Sequence, residues 1–129
     1  MLKINKIHHI AIICSDYEKS KKFYTEILGF SIQNEVFRED RKSYKLDLAM
    51  NGMYILELFS FPNPPLRVSQ PEAAGLRHLA FEVDRILDSH NFLTSKKITC
   101  EAIRTDEFTQ KKFFFINDPD SLPIEIYEK

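Results

Sequence analysis

The chain contains one pattern twice, and that repetition limits its fold more than any single motif does. His9-Ile10-Ala11-Ile12 near the start returns as His78-Leu79-Ala80-Phe81: a histidine, an aliphatic residue, an alanine, an apolar residue. Each copy leads into a helix-like segment and later into a strand-like run holding one glutamate. Those runs are Tyr54-Ile55-Leu56-Glu57-Leu58-Phe59 and Pro123-Ile124-Glu125-Ile126-Tyr127. His9 and Glu57 stand 48 residues apart, His78 and Glu125 47, and the two histidines 69. A repeat of that length means two similar units, not a solenoid.

The local signals fill in each unit. Ile7 to Cys14 is apolar and β-branched, a buried strand by pattern. Ser15 stands three residues before Glu18 and predicts a capping box at a helix start. That helix keeps Lys19, Ser20, Lys21 and Lys22 wet, turns Phe23, Tyr24, Ile27 and Leu28 inward, and stops at Gly29. Strands follow over Phe30–Arg38, Ser43–Ala49 and Met53–Ser60, with Asn51-Gly52 as a hairpin turn. Four prolines, Pro62, Pro64, Pro65 and Pro71, mark a linker, because they fix φ and remove donors. The second unit repeats the order. Strand Leu76–Val83 leads to a helix capped by Asp84 and reaching about Lys97, then strands Thr99–Arg104, Lys111–Asn117 and Pro123–Tyr127. Asn117 to Ser121 is a turn by composition. The expected architecture is a single α+β domain, 1–129, built from two paired βαβββ modules: 1–61, a linker 62–74, and 75–129. A lone module leaves one sheet face open unless another module covers it.

Length and charge narrow the function. At 129 residues the chain can bury a core without staples, and 43% hydrophobic with 29% charged residues is ordinary globular composition. The formal charge of −1 comes from scattered residues, which excludes the basic stripe that nucleic acid needs. No apolar run approaches the roughly 20 residues of a membrane span. The start carries no export signal, so a cytoplasmic protein with a small-molecule partner is expected. Cys14 and Cys100 each sit in an apolar stretch and read as small buried thiols.

Four residues stand out chemically. Alternation along a strand puts Glu57 with Ile55 and Phe59, and Tyr54, Leu56 and Leu58 on the other face. Both faces are apolar, and a carboxylate there is costly unless it is paired or holds a cation. Glu125, between Ile124 and Ile126, is in the same position. One such glutamate is more often on an edge strand facing water; two at matching places favour a site. The repeat picks His9 over its neighbour His8, which reads as packing or surface. His90 falls at helical spacing with Ile86 and Leu93, on that helix's inner face. Two imidazoles and two carboxylates, His9, Glu57, His78 and Glu125, form a set suited to Ni²⁺, Zn²⁺, Co²⁺, Mn²⁺ or Fe²⁺ rather than Ca²⁺.

With these residues in place the chain resembles the vicinal-oxygen-chelate superfamily, and within it the glyoxalase I (lactoylglutathione lyase) branch. The likeness spans nearly the whole chain. It rests on the His-Ile-Ala-Ile strand, Phe23-Tyr24 with Ile27-Leu28-Gly29-Phe30, Leu56-Glu57-Leu58, Gly75 to Phe81, and Asn117-Asp118-Pro119-Asp120 with Ile124-Glu125-Ile126. It implies paired βαβββ modules, commonly in a homodimer, with His9, Glu57, His78 and Glu125 at the metal-ligand positions and Ni²⁺ or Zn²⁺ first among the candidate ions. The implied reaction is isomerisation of a 2-oxoaldehyde–thiol hemithioacetal to a 2-hydroxyacyl thioester, the chemistry of methylglyoxal detoxification. The metal serves as Lewis acid, and Glu125 or Glu57 as proton carrier.

The resemblance also supplies rivals. Extradiol-type Fe²⁺ dioxygenases and antibiotic thiol transferases use His, His and Glu, which match His9, His78 and Glu125 without Glu57. Acyl-CoA epimerases typically have Gln at that place, and bleomycin-sequestering members lack the ligands. All four being present favours the isomerase. Glutathione-using members carry an Arg where this chain has Ile13, and an Asn near Ser60-Phe61-Pro62; the family's final-turn Gly is Ser121. Arg67, Arg77, Arg104, Lys111 and Lys112 are candidates for an anionic substrate, each more simply read as surface. The thiol is left unassigned.

Overall fold

The structure, a computed structural model, describes residues 1–129. It forms two compact units, Met1–Pro65 and Leu66–Lys129, each a four-stranded mixed sheet with a helix. In the first unit β1 (Ile10–Cys14) leads to α1 (Tyr17–Lys22), then β2 (Ser31–Arg38), β3 (Ser43–Met50) and β4 (Met53–Ser60). The sheet order is β1-β4-β3-β2, with β1 parallel to β4 and the other pairs antiparallel. The second unit repeats it with β5 (Leu79–Val83), α2 (Ile86–Ser95), β6 (Arg104–Thr105), β7 (Lys112–Asn117) and β8 (Pro123–Glu128), in the order β5-β8-β7-β6. These are the two βαβββ units expected from the repeat.

The two sheets bury equivalent faces. Leu46, Leu48, Leu56 and Leu58 are fully buried on the side that α1 covers, with Ile12, Cys14, Phe23 and Tyr24. Phe114, Ile116, Ile124 and Ile126 do the same under α2, joined by Leu79, Ile86 and Leu93. Burying each such side chain contributes roughly 1.5–3 kcal/mol. The opposite face of each sheet carries the glutamate.

Local details depart from the sequence pattern. Asp16, not Ser15, caps α1: its carboxylate accepts from the Lys19 amide at 3.1 Å. The helix then widens into a π turn over Phe23–Ile27, where the Leu28 amide reaches back to the Phe23 carbonyl, and Gly29 takes φ +81°. Helix α2 begins after Arg85 rather than Asp84, with no side-chain cap, and ends in a Schellman motif. There Ile98 N–H bonds the Leu93 carbonyl, and Lys97 takes φ +63°. Of the expected strand Thr99–Arg104 only Arg104 pairs, as the first residue of β6. Upstream, the Glu101 amide makes one bond to the Phe115 carbonyl. The polar–apolar alternation there sets exposure, with Thr99 and Glu101 out and Cys100 and Ile103 partly in, but builds no ladder. Strands β1 and β5 start later than the apolar runs suggest. Pairing begins at Ile10↔Leu56 and Leu79↔Ile124, so His9 and His78 each stand just before a strand. In the second unit Pro123 opens β8 and has no N–H with which to extend the ladder.

The outer strands also differ. Strand β2 runs eight residues and is exposed along almost all of its length, Ile32, Val36 and Phe37 included. Strand β6 is two residues long. Strand β2 also carries an irregularity at Gln33, between Ile32 and Asn34.

Candidate metal-ligating pairs and their surroundings

The first pair is set by parallel pairing. Glu57 lies opposite Ala11 of β1 and Asp47 of β3, and is 8% exposed. His9 Nε2 is 3.3 Å from Glu57 Oε2. His9 Nδ1 is engaged by His8 Nδ1 at 2.8 Å, which leaves Nε2 as the nitrogen presented to the carboxylate. His8, read from sequence as packing or surface, therefore touches the candidate ligand itself.

Tyr54 is on the Glu57 side, against the expectation from alternation. Pairing runs Leu48↔Leu56 and then Ala49↔Tyr54, so Ile55 is an extra residue in β4. This β-bulge reverses the phase of the strand, as bulges do when they re-aim a side chain. The Tyr54 hydroxyl donates to Glu57 Oε2 at 2.5 Å and lies 3.2 Å from Asp47 Oδ1. Lys45 Nζ is 2.5 Å from Asp47 Oδ1 and 3.9 Å from Glu57 Oε2. The Tyr54 ring stacks on His9 at 5.2 Å. Burial, then the carboxylates it faces, raise the phenol well above its ordinary range. Tyr54 thus stays protonated and acts as a donor that fixes Glu57.

In the second pair His78 Nε2 is 3.2 Å from Glu125 Oε2, and Glu125 lies opposite Ala80 and Phe115. No hydroxyl or ammonium group reaches this carboxylate. The face around it is aromatic. Phe115 meets the His78 ring edge-on at 5.1 Å, Phe113 stacks with Tyr127, and the Arg104 guanidinium lies 4.8 Å from the Phe113 centroid. His78 Nδ1 is buried without a hydrogen-bond partner. Such an orphan costs about 1–3 kcal/mol and asks for an explanation in function.

Both pairs fit a cation. Donors about 2.1 Å from an ion and at right angles to each other lie about 3 Å apart, close to the two separations found here. The structure brings together His9 with Glu57 and His78 with Glu125. It gathers no group of three or more His, Cys, Asp or Glu arranged to hold a metal.

The remaining sequence candidates are mostly occupied at the surface. Arg77 faces Glu72 at 3.5 Å, Arg104 pairs with Glu101 at 2.9 Å, Arg67 donates to the Leu76 and Arg77 carbonyls, and Lys111 bonds the Lys129 carbonyl. Arg77, Arg104 and Cys100 line a cavity of about 290 Å³ with Phe115 and Asn117. Burial pushes the Cys100 thiol up, away from reactivity. His90 packs on Phe114 and bonds the Glu101 carbonyl, an inner-face role. No helix is long and apolar enough to cross a membrane.

The doubled His–Glu pair on doubled βαβββ units defines a known class. The chain belongs to the Glyoxalase/Bleomycin resistance protein/Dioxygenase superfamily, whose family model matches residues 6–126. Among individual proteins, it is 59% identical to YaeR of Escherichia coli over 129 residues, the full length of both chains. The crystal structure of the glyoxalase family protein from Enterococcus faecalis is 46% identical, with a TM-score of 0.89 over 95% of this chain and 97% of that one. Lactoylglutathione lyase of Schizosaccharomyces pombe is 30% identical over 94% of this chain, which spans 46% of that longer protein.

Proposed function

We propose that the chain is a divalent-metal-dependent isomerase of the glyoxalase I type, converting a 2-oxoaldehyde–thiol hemithioacetal to a 2-hydroxyacyl thioester. His9, Glu57, His78 and Glu125 are the ligands in this reading, and Ni²⁺ or Zn²⁺ the ion. The observation that carries it is the repetition of one geometry: a His Nε2 and a Glu Oε2, 3.3 Å and 3.2 Å apart, at the same register in both units. When bound, the ion supplies Lewis-acid polarisation of two neighbouring substrate oxygens.

The protein's own residues divide the remaining work. Glu57 is tied by Tyr54 and faced by Lys45, which suits a fixed ligand. Glu125 has only His78 as an ion-pair partner, which suits the carboxylate that moves a proton. In this reading Glu125 takes the proton from the sulfur-bearing carbon and returns it to the adjacent carbonyl carbon. The apolar surroundings keep bulk water from competing for it. The partners are a small-molecule substrate and, in a homodimer, a second copy of the chain.

The test is metal analysis of the purified protein, with hemithioacetal turnover assayed under Ni²⁺, Zn²⁺, Co²⁺, Mn²⁺ and Fe²⁺. Stoichiometric metal in the wild type that is lost in His78→Ala, together with turnover, supports the reading. Protein that retains no divalent ion and turns over no hemithioacetal rejects it. The binding of Glu57 by Tyr54 favours one rival, a His9–His78–Glu125 set. Full metal content and activity in Glu57→Gln would select that set instead.

A further inference from the structure

The glutamate-bearing face of the first sheet holds a cation that nothing neutralises. Register places Arg38 opposite Ser43, Val36 opposite Lys45 and Asn34 opposite Asp47, while Phe59 faces Lys45 and Glu57 faces Asp47. All of these side chains share the Glu57 face, because cross-strand partners point the same way. Three cations in the molecule are half-buried: Lys21, Lys45 and Arg38. Lys21 pairs with Glu35 and Lys45 with Asp47, each at 2.5 Å. Arg38 has no carboxylate partner.

Its guanidinium is nevertheless held firmly in place. It lies 4.6 Å from the Phe59 ring centroid and 5.7 Å from that of Phe61, and it donates to the fully buried Ser43 hydroxyl at 2.5 Å. Its Nε–H is buried with no acceptor. A desolvated, positioned guanidinium with unused donors is costly unless an anion completes it. The planar fork matches the two oxygens of a carboxylate or a phosphate.

We propose that Arg38 is the receptor for an oxyanion, carboxylate or phosphate, carried by the ligand that reaches Glu57. This rests on the proposed reaction for the choice of a substrate as the carrier of that group. Along β3, Ser43 lies four residues from Asp47, about 14 Å at about 3.4 Å per residue. The charged group therefore belongs at the end of the substrate remote from its reacting carbons. The bare methyl of methylglyoxal gives such a site nothing to bind, so the natural 2-oxoaldehyde or its thiol carries an acidic tail.

The full chain as purified is to be titrated with inorganic phosphate and followed through backbone amide NMR shifts. Saturable shifts are expected at residues 36–45 and 57–61. Arg38→Gln weakens binding at least about tenfold, by loss of charge-assisted hydrogen bonds. Arg38→Lys, which keeps the charge but not the fork, gives a smaller loss, and Arg41→Gln, an exposed neighbour, none. Absence of saturable shifts on those strands in the wild type overturns the proposal, as do shifts that persist unchanged in Arg38→Gln. Phosphate bound at Arg38 by protein that retains no divalent ion and turns over no hemithioacetal would sink the isomerase reading alone. Metal and turnover without phosphate binding would sink only the oxyanion site.

Discussion

The two modules share a backbone plan and furnish it differently. In each, a glutamate at the centre of the last strand lies across from an alanine of the parallel strand and within 3.3 Å of a histidine. Around Glu57 the neighbours are Tyr54, Asp47, Lys45 and, further along, Arg38. Around Glu125 they are Phe115, Phe113 and Tyr127. The position opposite the glutamate is Asp47 in one unit and Phe115 in the other. One carboxylate is thus held by polar donors and the other sits among rings. A duplicated scaffold can repeat the ligand geometry while letting the two carboxylates take different duties.

The largest expected effect tests what the modules have in common. Leu56→Ala and Ile124→Ala each empty a fully buried position beside the glutamate and should cost about 3 kcal/mol apiece by denaturant unfolding. A loss below about 1 kcal/mol in either would mean that the equivalent cores do not bear equivalent loads. Next comes the asymmetry itself. Tyr54→Phe removes the donor on Glu57 and should weaken divalent-metal affinity by about 10–100-fold in equilibrium dialysis, whereas Tyr127→Phe leaves it unchanged. Equal effects of the two substitutions would erase the distinction drawn here.

The smallest effect is a pH dependence set by one carboxylate of the first module. Hydrogen bonds from Lys21 and then Tyr17 hold the Glu35 carboxyl below its usual range. A carboxyl depressed by folding adds stability above its unfolded pKa and loses it as pH falls through the folded value. Glu35→Gln should therefore lower stability at neutral pH by less than about 1 kcal/mol, the pair being partly exposed, and leave it unchanged at strongly acid pH. Melting temperatures across pH 2–7 check this sign.

Sequence reading reached the outline because the duplicated His and Glu, Asn51-Gly52 and Gly29 each report a local physical requirement. It missed the polar cluster because register is not local. Continued strictly from Met50↔Met53, the hairpin sets Leu56 against Asp47; one extra residue at Ile55 puts Glu57 there and turns Tyr54 onto the same side. The spacing of Lys45 and Asp47, two apart, was the available sign of a polar face on β3. The cap at Asp16 instead of Ser15 is a similar case, since both residues suit the position and only backbone geometry separates them. No local pattern could assign Arg38, whose environment comes from Phe59 on another strand and from Phe61 just beyond that strand's end.

The long outer strand of the first sheet has a consequence for behaviour at high concentration. An eight-residue border with exposed Ile32, Val36 and Phe37 offers a template on which a foreign extended segment can nucleate fibrillar growth. The two-residue border of the second sheet offers almost none. The irregularity at Gln33 and the charge on Glu35 act as gatekeepers, so neutralising that border is the change most apt to turn a well-behaved chain into a precipitating one.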